Sequence, residues 1–206
     1  MIVRSRFHNL RGMRFATVSS TFPRNSRHFF SLPGKDLTQH LTASCILPYH
    51  SAPLYTIIAD VDSYSTFVPY CSHSRVTHWS HPDSQGSRWP ARADLHVGWG
   101  GFEEKFTSKL TCLPGQAVEA ISGGGDEGDA SAVFKSLVTR WSLKPISEHP
   151  TSPSTEVHLA ITYHFINPLY AAVSAAVSDK IANMMVEAFK KQAAKKLVDC
   201  SMLGGP

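Results

Sequence analysis

Residues 167–199 read NPLYAAVSAAVSDKIANMMVEAFKKQAAKKLVD, and this stretch decides the fold. Asn167 is a suitable N-cap, and Pro168 suits a first helical position, where no backbone N–H is needed. No glycine or proline follows until Gly204, so a helix of roughly eight turns can run unbroken. Leu169, Val173, Ala176, Val177, Ile181, Met184, Met185, Ala188 and Phe189 recur at three- and four-residue steps and predict one apolar stripe. Lys180, Lys190, Lys191, Lys195 and Lys196 lie off that stripe. The last four are expected in the final turns, at the negative end of the helix dipole. A helix this long and one-sided needs a wide apolar partner.

The residues before it can supply one. Val157, Leu159, Ile161, Tyr163 and Phe165 alternate with polar neighbours and run directly into Asn167, which predicts a half-buried strand. Upstream, the same period of two marks a strand over Phe134–Leu143, with Leu137, Thr139, Trp141 and Leu143 on one side, and a short strand over Ala117–Ser122. It also marks Phe102–Cys112, with Glu104, Phe106, Ser108 and Leu110 facing one way, then Trp89–Trp99 and Val76–Trp79. His81, Pro82, Asp83 and Gly86 make a turn, Pro145–Ser154 reads as a loop, and GGGDEGDA at 123–130 as an acidic loop. Leu41, Ala43, Cys45 and Leu47 predict a first strand ending near Pro48. Ser51 then caps a short helix whose inner face is Leu54, Ile57, Ile58 and Val61, and a shorter turn at Tyr64–Phe67 ends at Pro69. The order is strand, two helices, about six strands, long helix. It predicts an α+β helix-grip fold, a curved antiparallel sheet wrapped around the long C-terminal helix.

Charge is unevenly placed along the chain. Residues 1–35 hold Arg4, Arg6, Arg11, Arg14, Arg24, Arg27 and Lys35 and no acid. With Val3, Phe7 and Leu10 on one helical face, this is the composition of a mitochondrial transit peptide, leaving 36–206 as the folded domain. The remaining 13 bases against 16 acids give that domain a net charge of −3, which argues against nucleic acid as a partner. Cys45, Cys71, Cys112 and Cys200 lack metal-site spacing and read as reduced, mostly buried thiols. His73, His78 and His81 are close in sequence, but their strand faces disagree, and no metal is expected. Asp126, Glu127 and Asp129 lack calcium-loop spacing. Gly98, Gly100 and Gly101 do not open a helix, as a dinucleotide site requires.

At 60–71 the chain reads DVDSYSTFVPYC, preceded by LPYHSAPLYTIIA. Tyr64, Phe67, Val68, Pro69 and Tyr70 gather aromatic and apolar surface on a short, proline-stiffened segment, which suits a flap at a pocket mouth or a plug in the core. This segment resembles the mitochondrial coenzyme Q-binding proteins of the START / polyketide-cyclase superfamily. GFEEKFTSKL at 101–110, FKSLVTRWSL at 134–143 and NPLYAAV at 167–173 match in the expected order. The resemblance implies a START-like pocket for ubiquinone or its polyprenyl intermediates, bound as ligand rather than cofactor. It implies a lipid chaperone supporting respiration and quinone biosynthesis on the matrix side of the mitochondrial inner membrane. Its expected partners are that membrane and the quinone-synthesis complex or the respiratory chain. It implies no catalysed reaction.

The candidate ligand-binding residues are then Tyr64, Phe67, Val68, Pro69 and Tyr70 of the flap. With them go Leu95, Val97, Phe106, Trp141 and Phe165 on the inward strand faces and Val173, Val177 and Met184 on the helix stripe. Each of these is also a candidate for plain core. Tyr70, Tyr163 and Arg140 could donate to a quinone oxygen. No nucleophile–base–acid set can be assembled. Glu104, the one inward acid, could act as an acid/base group or as a partner for a ligand headgroup, or form a plain ion pair with Arg140 or Lys109. Two other readings stay open: a cyclase-type enzyme acting on an aromatic substrate, and a ribosome-interaction module like the bacterial toxin branch of the family.

Overall fold

The computed structural model describes residues 38–99, 102–123, 133–167 and 178–203. Segment 1–35, residues 124–130 of the acidic loop, Gly100, Gly101 and residues 168–177, with Val173 and Val177, lie outside the described residues. Strand β1 (Thr38–Leu47) leads to helix α1 (Ser51–Ala59) and a 3-10 helix (Val61–Thr66). Six strands follow: β2 (Cys71–Trp79), β3 (Pro90–Trp99), β4 (Phe102–Leu113), β5 (Ala117–Gly123), β6 (Phe134–Ser147) and β7 (Ser154–Phe165). Helix α2 covers Ser178–Leu203. All neighbours pair antiparallel in the order β1-β7-β6-β5-β4-β3-β2, so the first strand closes against the last. This is the expected helix-grip fold.

Alternation explains why the strands form a one-sided sheet. In β7 every second residue from Thr155 to Phe165 is buried. Val157 and Leu159 are fully buried between sheet and helix. Register carries the same face across the sheet. Leu41, Ala43 and Cys45 oppose Ile161, Leu159 and Val157, while Trp141 and Leu143 oppose Leu159 and Val157. Helix α2 packs on β1, α1 and β7.

Four details differ from the pattern read in the sequence. First, the N-cap of α1 is His50 rather than Ser51 and makes no side-chain capping bond. His50 Nδ1 instead lies 3.0 Å from Glu148 Oε2, tying the helix start to the β6–β7 connection. Second, β6 runs past Leu143 to Ser147 and includes Pro145. The Leu143 N–H points to the Gln116 carbonyl (2.7 Å), at the end of β5. The position of Pro145 aims the same way, beyond β5, so its missing N–H removes no ladder bond.

Third, the buried stripe of α2 is Ala182, Val186, Phe189 and Ala193. Met184, expected inside, is 41% exposed. Apolar residues cover a wide arc here, so spacing alone leaves the phase open. The alanines settle it by letting the helix approach closely. Fourth, the helix continues to Leu203, so its lysines do not occupy the last turn, where the dipole acts.

Candidate functional site

Residues 60–71 join α1 to β2 through a series of side-chain locks. The Asp60 carboxylate accepts from Lys196 Nζ of α2 (2.7 Å) and from the Ser63 hydroxyl. Burial alone would raise the Asp60 pKa, but the bonds from Lys196 and Ser63 and the lysine charge outweigh it and hold the carboxyl below its ordinary value. Asp62 Oδ1 accepts the Val76 N–H at 2.6 Å. The Asp62 carbonyl accepts the Ser74 hydroxyl (3.1 Å), whose oxygen accepts the Ser65 N–H (2.9 Å). Sequence reasoning assigned these aspartates no role. The signal was present: carboxylates and serines at a helix–strand junction are the residues that satisfy loose backbone groups.

The same locks place the aromatic flap. The Tyr64 hydroxyl donates to the Ile58 carbonyl, and its ring meets Phe67 edge-on with centroids 5.6 Å apart. Burial pushes that hydroxyl well above the usual tyrosine value, so Tyr64 acts as a tie rather than an acid. The Val68 N–H bonds the Tyr64 carbonyl at 2.8 Å, and the Val68 carbonyl accepts the Cys71 N–H at 3.2 Å. Tyr70 has φ +64°, a left-handed conformation uncommon for residues other than glycine, and is 46% exposed. Its carbonyl accepts the Gly98 N–H at 2.9 Å, which fixes the strained residue to β3.

Phe67 and Pro69 face α2 across a groove of about 420 Å³, also lined by Met184, Glu187, Ala188, Lys191, Gln192 and Lys195. The exposure of Met184 thus places it on the groove. Of the strand candidates, Phe106, Trp141 and Phe165 are buried. Trp141 leans on Phe189 (5.2 Å) and Phe165 stacks on Phe134 (4.8 Å), so both fill core. Leu95 and Val97 are half-buried.

The inner sheet face is unevenly filled. Val97 opposes Glu104, and Leu95 opposes Phe106. Leu95, Val97, Glu104, Leu137 and Thr139 are all half-buried on this face, whereas the β1–β7 side is closed. Within the apolar patch, Ser108 and Ser122 hold their hydroxyls 2.6 Å apart, each residue 5% exposed. Two hydroxyls sharing one hydrogen bond leave one O–H to donate elsewhere. This pair was missed. Its signature is a serine at inward register on two adjacent strands.

Two expected donors are committed elsewhere. Arg140 projects from the outer face and bonds Glu119 at 3.0 Å, so it cannot pair with Glu104. Lys109 is also outward. The Tyr163 hydroxyl donates to Gln39 at 3.0 Å. Among the described residues no three His, Cys, Asp or Glu side chains converge as metal ligands, and no helix is long and apolar enough to cross a membrane.

Residues 47–190 match the family profile described as polyketide cyclase / dehydrase and lipid transport. The chain belongs to that family. Within the polyketide cyclase / lipid transport family it is 31% identical to the mitochondrial coenzyme Q-binding protein of Schizosaccharomyces pombe over 73% of this chain and 84% of that one. It is 28% identical to the ribosome association toxin of Pseudomonas aeruginosa over 76% of this chain and 96% of the toxin. The Zhui aromatase/cyclase from Streptomyces sp. R1128 superposes with a TM-score of 0.61 at 13% identity, covering 78% and 96% of the two chains, a likeness of fold alone. The resemblance to the coenzyme Q-binding proteins read from 60–71 therefore holds.

Proposed function

We propose that this chain binds a quinone lipid in mitochondria and serves as its carrier without transforming it. The observation that carries the reading is the groove. One wall is the segment that resembles the coenzyme Q-binding proteins, and the other is the helix that closes the core. The lipid enters between residues 67–70 and α2 and lies over the half-buried sheet face around Phe106. The mitochondrial names of the relatives and the acid-free, Arg-rich 1–35 segment support the compartment. A role on the matrix side of the inner membrane, in respiration and quinone biosynthesis, belongs to the same proposal.

Energetics set where selectivity must come from. Burying a methylene out of water is worth about 0.8 kcal/mol, but this cargo starts in hydrocarbon, so its tail transfers at near-zero free energy. Recognition therefore rests on shape and on donors to the quinone carbonyls, which only accept. The O–H left over from the Ser108–Ser122 pair meets that need on the inner face. Tyr70 meets it at the rim.

Organic extraction of the purified chain followed by mass spectrometry tests the reading. Near-stoichiometric quinone is expected. Val68→Lys, which puts a charge in the flap, should retain a small fraction of it while the circular dichroism stays unchanged. An empty protein that also refuses added quinone would sink the proposal. The toxin match favours ribosome contact as a rival, which co-sedimentation with mitochondrial ribosomes at moderate salt would reveal. The net charge of −3 over 36–206 weighs against it.

A further inference from the structure

The lysines of α2 are not equivalent. Lys190 pairs with Glu187 at 3.4 Å and Lys196 with Asp60 at 2.7 Å. Lys191 and Lys195 are exposed, stand one turn apart on the groove wall, and enter no ion pair among the described residues. Opposite them lie Phe67 and Pro69, with Met184 and Ala188 along the helix. Glu187, the one acid on the groove, is already engaged by Lys190. A surface with an apolar floor and a pair of uncommitted ammonium groups fits an amphiphile with an anionic head. A neutral quinone makes no use of those charges.

We propose that this groove docks one anionic phospholipid of a membrane surface, its phosphate held by Lys191 and Lys195 and its apolar part laid over Phe67, Pro69 and Met184. The volume, about 420 Å³, falls within the range of about 300–1,000 Å³ usual for small-molecule sites. The rim agrees. Tyr70, next in the chain to Pro69, is held outward by a strained backbone, and a tyrosine presents an apolar ring and a polar tip, as residues at a membrane interface do. The site is the mouth through which the carrier reading brings its cargo, and the proposal rests on that reading for the groove's role while naming a second occupant for its charged wall.

The test is co-sedimentation of the full chain with phosphatidylcholine vesicles, with and without phosphatidylglycerol. The chain should prefer the anionic vesicles. Lys191→Glu with Lys195→Glu should weaken that binding on the order of thirtyfold or more, from roughly fivefold for each lysine near an anionic surface. Lys109→Glu with Lys144→Glu makes the same charge change on exposed lysines of the sheet and should cost less than threefold. Met184→Asp, at an exposed position, should also weaken binding while leaving the fold intact. Equal losses in the two double variants would mean bulk charge only and overturn the proposal. So would an unaffected groove variant, or a native chain that ignores both vesicle types. Quinone content, measured on the same samples, tells the two readings apart: a native chain that carries quinone but ignores anionic vesicles overturns only this proposal, and one that prefers anionic vesicles yet carries no quinone overturns only the carrier reading.

Discussion

Tyr55 carries a hydroxyl that the fold buries without a hydrogen bond. The residue is 2% exposed, and its ring meets Trp89 edge-on at 4.9 Å. The Cys112 thiol is a neighbour, but it points to the Pro90 carbonyl at 3.5 Å. Burial, with Cys112 adding to it, pushes the phenol above its usual pKa. An orphaned buried hydroxyl costs about 1–3 kcal/mol. Tyr55→Phe should therefore raise the melting temperature, by about 2–4 °C for each kcal/mol regained in a chain of this size. A lower melting temperature would show that the hydroxyl–thiol contact is stabilising. Helical spacing named Leu54, Ile57 and Ile58 as the inner face of α1 and passed over Tyr55. A polar tip does not mark a face, and only the neighbouring strands decide that this one goes in. The Ser108–Ser122 pair escaped for the same reason, since serines on separate strands meet only when register brings them together.

Among elements, the Asp60–Lys196 pair ties the start of the 3-10 helix to α2 beside the groove. The Asp60–Lys196 pair is more than a third exposed at both side chains, so it contributes under about 1 kcal/mol. Lys196→Met should barely move the melting temperature yet speed amide hydrogen exchange across residues 61–68, whose attachment to α2 it removes. Unchanged exchange would show that Asp62 and Tyr64 hold the segment alone. The pH dependence has a definite sign. The folded pKa of Asp60 lies below its ordinary 3.8, so the pair contributes fully above that value and is lost as pH falls through the lowered one. In urea unfolding, native chain and Asp60→Asn should differ at pH 7, and the difference should shrink as pH falls below 3.8. The existence of α2 was legible because residues 178–203 contain neither glycine nor proline. Its rotational phase was not, because Met184, Met185 and Val186 are all apolar and only close packing chooses among them. Pro145 misled in the opposite direction, since a proline is harmless where the neighbouring strand has already ended.

Over the whole molecule, the strict alternation in β7 made the sheet legible before any contact was known. Leu159, fully buried against β1 and β6, tests that central position. Leu159→Ala should cost about 2–5 kcal/mol and lower the melting temperature by roughly 5–15 °C. A loss under 1 kcal/mol would mean the core relaxes around the gap. The site was less legible because it depends on residues distant in sequence. Asp60 meets Lys196 136 positions on, and no local pattern announces such a pair. The strand order carries a further consequence, one of timing. Thr38 lies beside His164, 126 positions later, so among the described strands the first to leave the ribosome pairs with the last alone. At synthesis rates of about 5–20 residues per second, β1 waits on the order of 5–20 seconds with its backbone donors and acceptors open. Closure this non-local is slow to nucleate and leaves a bare strand edge exposed meanwhile. A chain truncated before Ser154 would never bury that edge, and aggregation rather than a smaller folded product is its expected fate.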